Sequence, residues 1–316
     1  MKNISIAIHK RDGSFSDRWI EYCKKNKINC LIVNCLDGEI IETLKDNKIT
    51  HLLWHINHSS TAELQVYHYL LNSIDKIGIK TFPNFNTRWH FDDKIAQKYL
   101  FEAIGNDMVI SYVFYSKHKA FEFLERIEHP LVGKLRRGAG SSNVQLLKNK
   151  QESQEYVNKL FSSGIDSKGG GIKNIDQKIR IAKKIKNPIR LLKKIINYFV
   201  KSRRENKIST PEKGYAYFQE FLPKNEYDTR VIVIGNIAFA VRRFNRKNDF
   251  RASGSGNSDF EYKNIDESLI KKAFETNDIL KMQSVAFDFI YNGVGESKIV
   301  EVCFGFNVKF YDPCPG

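Results

Sequence analysis

RRFNRKNDFRASGSG, Arg242–Gly256, places four arginines within ten positions and follows them with a run of small residues and glycine. The stretch closes a hairpin. Just before it, Tyr227–Ile234 and Ile237–Phe244 are β-rich runs separated by Gly235-Asn236, a pair suited to a tight turn. Arg230 lies on the first strand, Arg242 and Arg243 on the second, and Arg246 and Arg251 just beyond it. A guanidinium donates in a rigid planar fork, which matches phosphate and carboxylate oxygens. Nucleic acid could use the same charges, but the few interleaved aromatics lack the pattern of a base-stacking sheet.

Further along, two strand-like runs each carry one acid in otherwise apolar company: Asp288 in VAFDFIY and Glu301 in IVEVCF. On adjacent antiparallel strands the two carboxylates can face one another. Like charges so close call for a cation, and Mg²⁺ is held by a few carboxylates together with phosphate oxygens. Solvent-facing positions of half-buried strands would give the same pattern. Towards the N-terminus, Lys134 ends a strand and Arg136-Arg137-Gly138-Ala139-Gly140-Ser141-Ser142-Asn143 follows. Glycines let the backbone approach phosphate, and successive N–H groups form an anion-binding concavity. A basic hairpin turn is the plainer alternative. No G-K-[ST] follows, so this is not a Walker loop.

The rest of the chain sets these motifs in order. Its first 85 residues alternate strands at Ile4–Ile8, Cys30–Asn34, His51–Ile56 and Ile79–Phe82 with helices at Phe15–Lys25, Ile40–Asn47 and Ala62–Ile77. That alternation predicts a parallel, Rossmann-like sheet, but no G-x-G-x-x-G supports a dinucleotide site. A helix over Asp92–Ile104 precedes the lysine-glycine segment, and a helix over Glu267–Ile279 precedes the two acidic strands. At 316 residues, with 41% hydrophobic and 28% charged residues, the chain suits two or three compact lobes. No apolar run approaches the length of a membrane span, and the N-terminus reads as a strand. Five cysteines without C-x-x-C spacing fit reduced thiols, so a cytoplasmic location is expected.

Net charge is +15, and residues 168–207 account for +12 of it, with 14 Lys and Arg against Asp176 and Glu205. The body is therefore near neutral and carries one basic segment. Within 172–207 the apolar residues recur at helical spacing. Such a helix could lie on an anionic membrane surface, giving a peripheral position at the inner face, or pack on the body as an insertion. His55 and His58, beside Trp54 at the end of the third strand, together with Arg18, are candidates for an acceptor pocket; a structural role for a lone histidine is the commoner case.

The order of these motifs resembles the ATP-grasp superfamily: lysine, lysine with glycine loop, hinge, Asp-x-Arg, Asp-Phe-Arg, then Asp and Glu. The resemblance runs from about Asp92 onward and is similar to the ribosomal-protein glutamate ligase and glutathione synthetase group. SFSDRW, WHINH and FPNFNTRWHFDDK look like the ATP-grasp proteins of bacterial surface-polysaccharide clusters, including capsule. The resemblance implies an α/β and α+β chain with an ATP-grasp fold: a pre-ATP-grasp α/β domain over 1–88, a small subdomain over 89–214 with a basic helical insert at about 165–210, and a C-terminal subdomain over 215–316.

It also implies roles. Lys94 and Lys134 would contact ATP phosphates, and Gly138, Ala139, Gly140, Ser141 and Ser142 would close over them. Glu220, Phe221 and Leu222 would form the adenine-binding hinge, with Asp228 near the ribose. Arg230, Arg243 and Arg251 would serve the transferring phosphoryl group, with Ser253 beside them. Asp288 and Glu301 would bind one or two Mg²⁺ ions, with Mn²⁺ an acceptable substitute. Cys303 stands where relatives carry Asn, and a thiol is a soft ligand poorly suited to Mg²⁺; either fewer protein ligands hold the second ion or Asn307 compensates. The expected activity is ADP-forming ligation of a carboxylate, on a small molecule or glycan acceptor, to an amine co-substrate. A kinase on the same fold is the alternative, and a nucleic-acid-binding protein the non-enzymatic rival.

Overall fold

In the computed structural model, described for residues 4–138, 143–166 and 211–315, three sheets follow one another along the chain. The expected basic helix over 172–207 and the loop residues Ala139, Gly140, Ser141 and Ser142 lie outside the described residues.

The first sheet holds β1 (Ile6–His9), β2 (Cys30–Val33), β3 (His51–Leu53) and β4 (Lys80–Phe82) in the order β2-β1-β3-β4, all parallel. Three helices connect them: α1 (Phe15–Lys25), α2 (Ile40–Asp46) and α3 (Thr61–Lys76). The bounds of α1 are those expected, and those of α2 and α3 lie within one residue of the expected ones. Ser14 caps α1 through Ser16 N–H, Ser60 caps α3 through Glu63 N–H, and lysines close the last turns.

The second sheet is antiparallel, β5 (Ser111–Phe114), β8 (Ala216–Glu220), β6 (Leu131–Lys134) and β7 (Val144–Leu147) in that order, backed by α6 (Lys117–Leu124) and α7 (Lys150–Leu160). A division between 214 and 215 was expected, but β8 pairs with both β5 and β6. The boundary therefore falls after Glu220. Tyr215–Phe221 read correctly as a strand; which sheet it joins depends on pairing with residues about a hundred positions earlier, which local pattern does not encode.

The third sheet has the order β11-β10-β9-β12-β13, with β9 (Tyr227–Ile234), β10 (Ile237–Phe244), β11 (Ser258–Asp259), β12 (Ser284–Tyr291) and β13 (Ser297–Cys303). Side chains alternate faces along a strand. One face sends Val231, Val233, Val285, Phe287, Phe289, Ile299 and Val302 into a core with Leu269, Ala273 and Leu280 of α8 (Glu267–Leu280). The α5 helix (Lys94–Ala103) adds Phe101 to the same core. The opposite face is divided. Ile232, Val241 and Ala286 pack against Phe15, Phe306 and Tyr311, whereas Asp228, Arg230, Arg243, Asp288 and Glu301 occupy its other part.

A bulge preserves this division on β13. Asp288 pairs with Glu301 but Phe289 with Ile299, so Val300 is an extra residue. The insertion keeps Glu301 on the charged face while Ile299 still reaches the α8 side. If this core carries the sheet, Phe287→Ala should cost about 3–5 kcal/mol in urea unfolding. Ile237→Ala, at a site 59% exposed beside the hairpin turn, should cost under about 0.5 kcal/mol. Similar losses in the two variants would contradict the assignment.

Candidate active site

Three neighbouring strands bring two arginines and two aspartates into one buried network. Register pairs Arg243 with Asp228 across β10 and β9, and Arg230 with Asp288 across β9 and β12. Arg243 donates through Nε and Nη2 to Asp228 at 2.6 and 2.7 Å, and its Nη2 also lies 2.9 Å from Asp288 Oδ2. Arg230 donates through Nε and Nη2 to Asp288 at 2.5 and 2.7 Å, and through Nη1 to Tyr311 Oη at 3.2 Å. Burial works to raise the Asp288 carboxyl, but Arg230 and Arg243 outweigh it and hold it well below the usual range. For Asp228 burial prevails over Arg243, and its pKa is raised.

Two buried lysines, Lys94 and Lys134, accompany this network. Lys94 opens α5 and places Nζ 3.1 Å from Glu301 Oε1 while donating to Gly138 O at 3.0 Å. Burial alone would discharge it; Glu301 and Asp92 reverse that and raise its pKa. Lys134, at the end of β6, donates to Gln219 Oε1, and Gln219 Nε2 donates to Ser111 Oγ at 3.0 Å. No carboxylate lies within ion-pair distance of Lys134 among the described residues, and burial lowers its pKa to about 8. It is thus still charged near neutrality but poorly compensated, the state of a cation awaiting an anion.

Gly138 begins the glycine loop at φ +123°, and a Cβ there would collide with the Asn143 side-chain amide. Its N–H donates to Asp92 Oδ1 at 3.0 Å. Asp92 was not among the expected site residues. It adopts φ +52°, rare for a side chain without special cause, and burial raises its pKa to about 6. A left-handed aspartate at the mouth of a helix leaves no mark in apolar periodicity. Gln219, which fixes Lys134, was also missed: within a buried strand, one amide has no motif.

Glu220, Phe221 and Leu222 connect the second and third sheets. Glu220 accepts from Tyr112 Oη at 3.0 Å, Phe221 sets its ring edge-on to Phe250 at 5.7 Å, and Leu222 O accepts from Asn225 Nδ2 at 3.2 Å. Arg251 pairs with Asp249 and donates to Val144 O at 3.2 Å, so the arginine-rich loop bridges to β7, just past the glycine loop. Ser253 contributes its carbonyl oxygen to Arg246.

The acceptor candidates separate. His55 is structural in its contacts: its ring stacks on Phe15 at 3.8 Å and Nδ1 accepts from Phe15 N–H at 3.1 Å. Burial, then Arg11, lowers its pKa to about 3, so it stays neutral. Arg18 makes a two-pronged contact with Asp312 at 2.9 and 3.0 Å, at the edge of an aromatic recess of about 330 Å³ shared with Trp19 and Tyr311. His58 is exposed.

The residues fit a hard divalent cation. An ionised carboxylate offers about four lone-pair positions; the arginines take three on Asp288, and Lys94 takes one on Glu301. Cys303, whose thiol burial pushes up to about 12, is no ligand for Mg²⁺. Asn307 is exposed, and its Oδ1 accepts from Lys309 N–H at 3.2 Å. No group of three or more His, Cys, Asp or Glu able to hold a metal occurs among the described residues, so phosphate oxygens would complete the shell.

No family model and no curated protein matches the sequence. Solved structures do. The ATP-grasp ligase PsnB, complexed with a minimal precursor, superposes with a TM-score of 0.59 at 11% identity, over 99% of this chain and 94% of that one. The chain has the ATP-grasp fold. The D-alanine–D-alanine ligase of Bacillus anthracis, complexed with ATP, matches at TM-score 0.57 and 13% identity, over 96% of this chain and 87% of that one. The biotin carboxylase domain of the Hydrogenobacter thermophilus 2-oxoglutarate carboxylase, complexed with MgADP, ADP and bicarbonate, matches at 0.59 and 11%. There the alignment covers 96% of this chain and 64% of that one, so this chain spans less than two thirds of the carboxylase domain.

Because Asp288 is the shared counter-charge of two buried arginines, Asp288→Asn should destabilise the free protein by about 3–5 kcal/mol. The folded pKa of Asp288 is depressed, so its contribution is present above the unfolded value and lost as pH falls. The gap between wild type and variant in urea unfolding should therefore shrink below about pH 4. A gap that is absent at neutral pH, or that widens on acidification, would refute this role.

Proposed function

We propose that the chain is a Mg-ATP-dependent, ADP-forming carboxylate–amine ligase that works through an acyl phosphate. The observation that supports it most is the gathering of the buried Lys94 and Lys134 with Glu301 and the Arg230–Asp288–Arg243 network. The neighbours' complexes with ATP, MgADP and bicarbonate make the same point from the fold.

A carboxylate is a poor electrophile. Attack of its oxygen on the γ-phosphorus forms the acyl phosphate and releases ADP; attack of an amine on the carbonyl then expels phosphate. Such transfer needs positioning and charge neutralisation more than covalent help. Lys94 and Lys134 would exchange Glu301 and Gln219 for phosphate oxygens. Arg230 and Arg243, held in fixed orientation by Asp288 and Asp228, would face the charge that develops during transfer. Asp288 and Glu301 would hold Mg²⁺, which would supply positive charge to the phosphates during transfer. Arg251 would hold the γ-phosphate from the loop that reaches β7, and Gly138 to Ser142 would cover it.

For the acceptor we propose a sugar acid or surface-glycan precursor, the preference carried by the SFSDRW, WHINH and FPNFNTRWHFDDK stretches. Residues 172–207, which hold most of the net charge, would then dock at anionic lipid near a lipid-linked acceptor. No helix among the described residues is long and apolar enough to cross a membrane.

ADP release screened against uronic acids, amino acids and their pairs tests the reaction. Turnover should require a carboxylate and an amine together, and ¹⁸O placed in the carboxylate should appear in the phosphate released. Turnover with one acceptor and a stable phosphorylated product would instead make the chain a kinase.

A further inference from the structure

Arg11 is a cation at the ligand end of the first sheet that no carboxylate neutralises. It lies two residues beyond β1, and His55 lies two residues beyond β3, the parallel neighbour of β1. Open parallel sheets present ligands at this end, outside the carboxyl ends of their strands. Its backbone is pinned on both sides by one hydroxyl: Arg11 N–H donates to Ser16 Oγ, and Ser16 Oγ donates to Arg11 O, each at 3.0 Å. Its Nη2 donates to His55 O at 3.1 Å and lies 3.2 Å from His55 Nδ1. Both partners are neutral, since His55 Nδ1 also accepts from Phe15 N–H and must carry a lone pair.

The nearby acids are engaged elsewhere. Asp17 accepts from Gly13 N–H at 2.7 Å, and Glu63 accepts from Trp54 Nε1 and Asn57 N–H at 3.0 and 2.9 Å. Among the described residues Arg11 has no ion pair within 4.0 Å. Arg88, the buried arginine of the same domain, shows the structural alternative: it is matched by Asp75, Asn72, Thr81 Oγ1 and the Pro83 carbonyl. An arginine half-buried, pre-oriented and uncompensated is a site for an anion. Its direction is set by His55, whose ring stacks on Phe15; Phe15 belongs to the same aromatic cluster as Tyr311, and the Tyr311 hydroxyl accepts from Arg230.

We propose that Arg11, braced by His55, forms a carboxylate subsite on the N-terminal domain that holds the acid group of a substrate on the side of the phosphoryl-transfer centre. The subsite deepens the ligase reading by giving the substrate a negatively charged carboxylate as its recognition element, and it stands or falls by a measurement made without nucleotide. Sodium acetate, the minimal carboxylate, is titrated against the protein at constant ionic strength with sodium chloride as the reference, and the His55 ring Cε1–H resonance, assigned with His55→Gln, is followed by NMR.

Acetate should move the resonance saturably and chloride should not. Arg11→Gln should weaken the apparent affinity about tenfold or more. Arg11→Lys, which keeps the charge but loses the fork, should fall between the two and guards against a folding artefact in Arg11→Gln. No saturable shift in wild type, or equal affinity in wild type and Arg11→Gln, overturns the subsite. Because no ATP is present, that failure leaves ADP release intact, and a failure of ADP release leaves the acetate result intact.

Discussion

The carboxylate of Asp288, held between two guanidinium groups, is the contact on which the rest of the site depends. Two buried arginines side by side would repel and pay for desolvation as well; Asp288 and Asp228 turn them into a locally neutral array with defined direction. The array in turn fixes the strands that carry it, because Arg230 and Asp288 are cross-strand partners and Arg243 and Asp228 are too. What ties the three central strands together and what prepares the site are the same bonds.

The division of that sheet face explains how a charged site survives next to a core. Ile232, Val241 and Ala286 continue the same strands as Arg230, Arg243 and Asp288, at positions two residues away, and meet Phe15, Phe306 and Tyr311. Tyr311 belongs to both halves: its ring packs with the aromatics, and its hydroxyl accepts from Arg230. Aromatic packing thus borders the arginines on the Tyr311 side. In such surroundings their charge acts on a ligand with little screening.

Much of the architecture was readable from pattern alone, because the signals were local. Tyr227–Ile234, Ile237–Phe244 and Ser284–Tyr291 are strands with the bounds that alternation and Gly235-Asn236 suggest, and the four parallel strands and three helices of the first domain follow their apolar periods. Partnership was not readable. Arg230 and Asp288 stand 58 residues apart, so their ion pair depends on which strands become neighbours. The same holds for β8, whose run of apolar residues declares a strand and says nothing of its sheet. Asp92 and Gln219 escaped for another reason: their roles rest on one backbone angle and one amide orientation, neither of which composition reports. His55 sat at the right end of the right strand, and the structure gives it to Phe15 and Arg11.

In the free protein each acid of the proposed metal site already has a cationic partner: Lys94 for Glu301, and Arg230 and Arg243 for Asp288. A divalent ion arriving alone would have to compete with these charges. Nucleotide phosphates can take the lysines and arginines and leave the carboxylates to the ion, so the two ligands should bind with strong mutual coupling. Thermal unfolding with Mg²⁺ alone, with ATP and a chelator, and with both together measures this most directly. The account predicts small shifts from either ligand alone and a shift from Mg-ATP well above their sum. A full shift from Mg²⁺ alone, or none from saturating Mg-ATP, would contradict it.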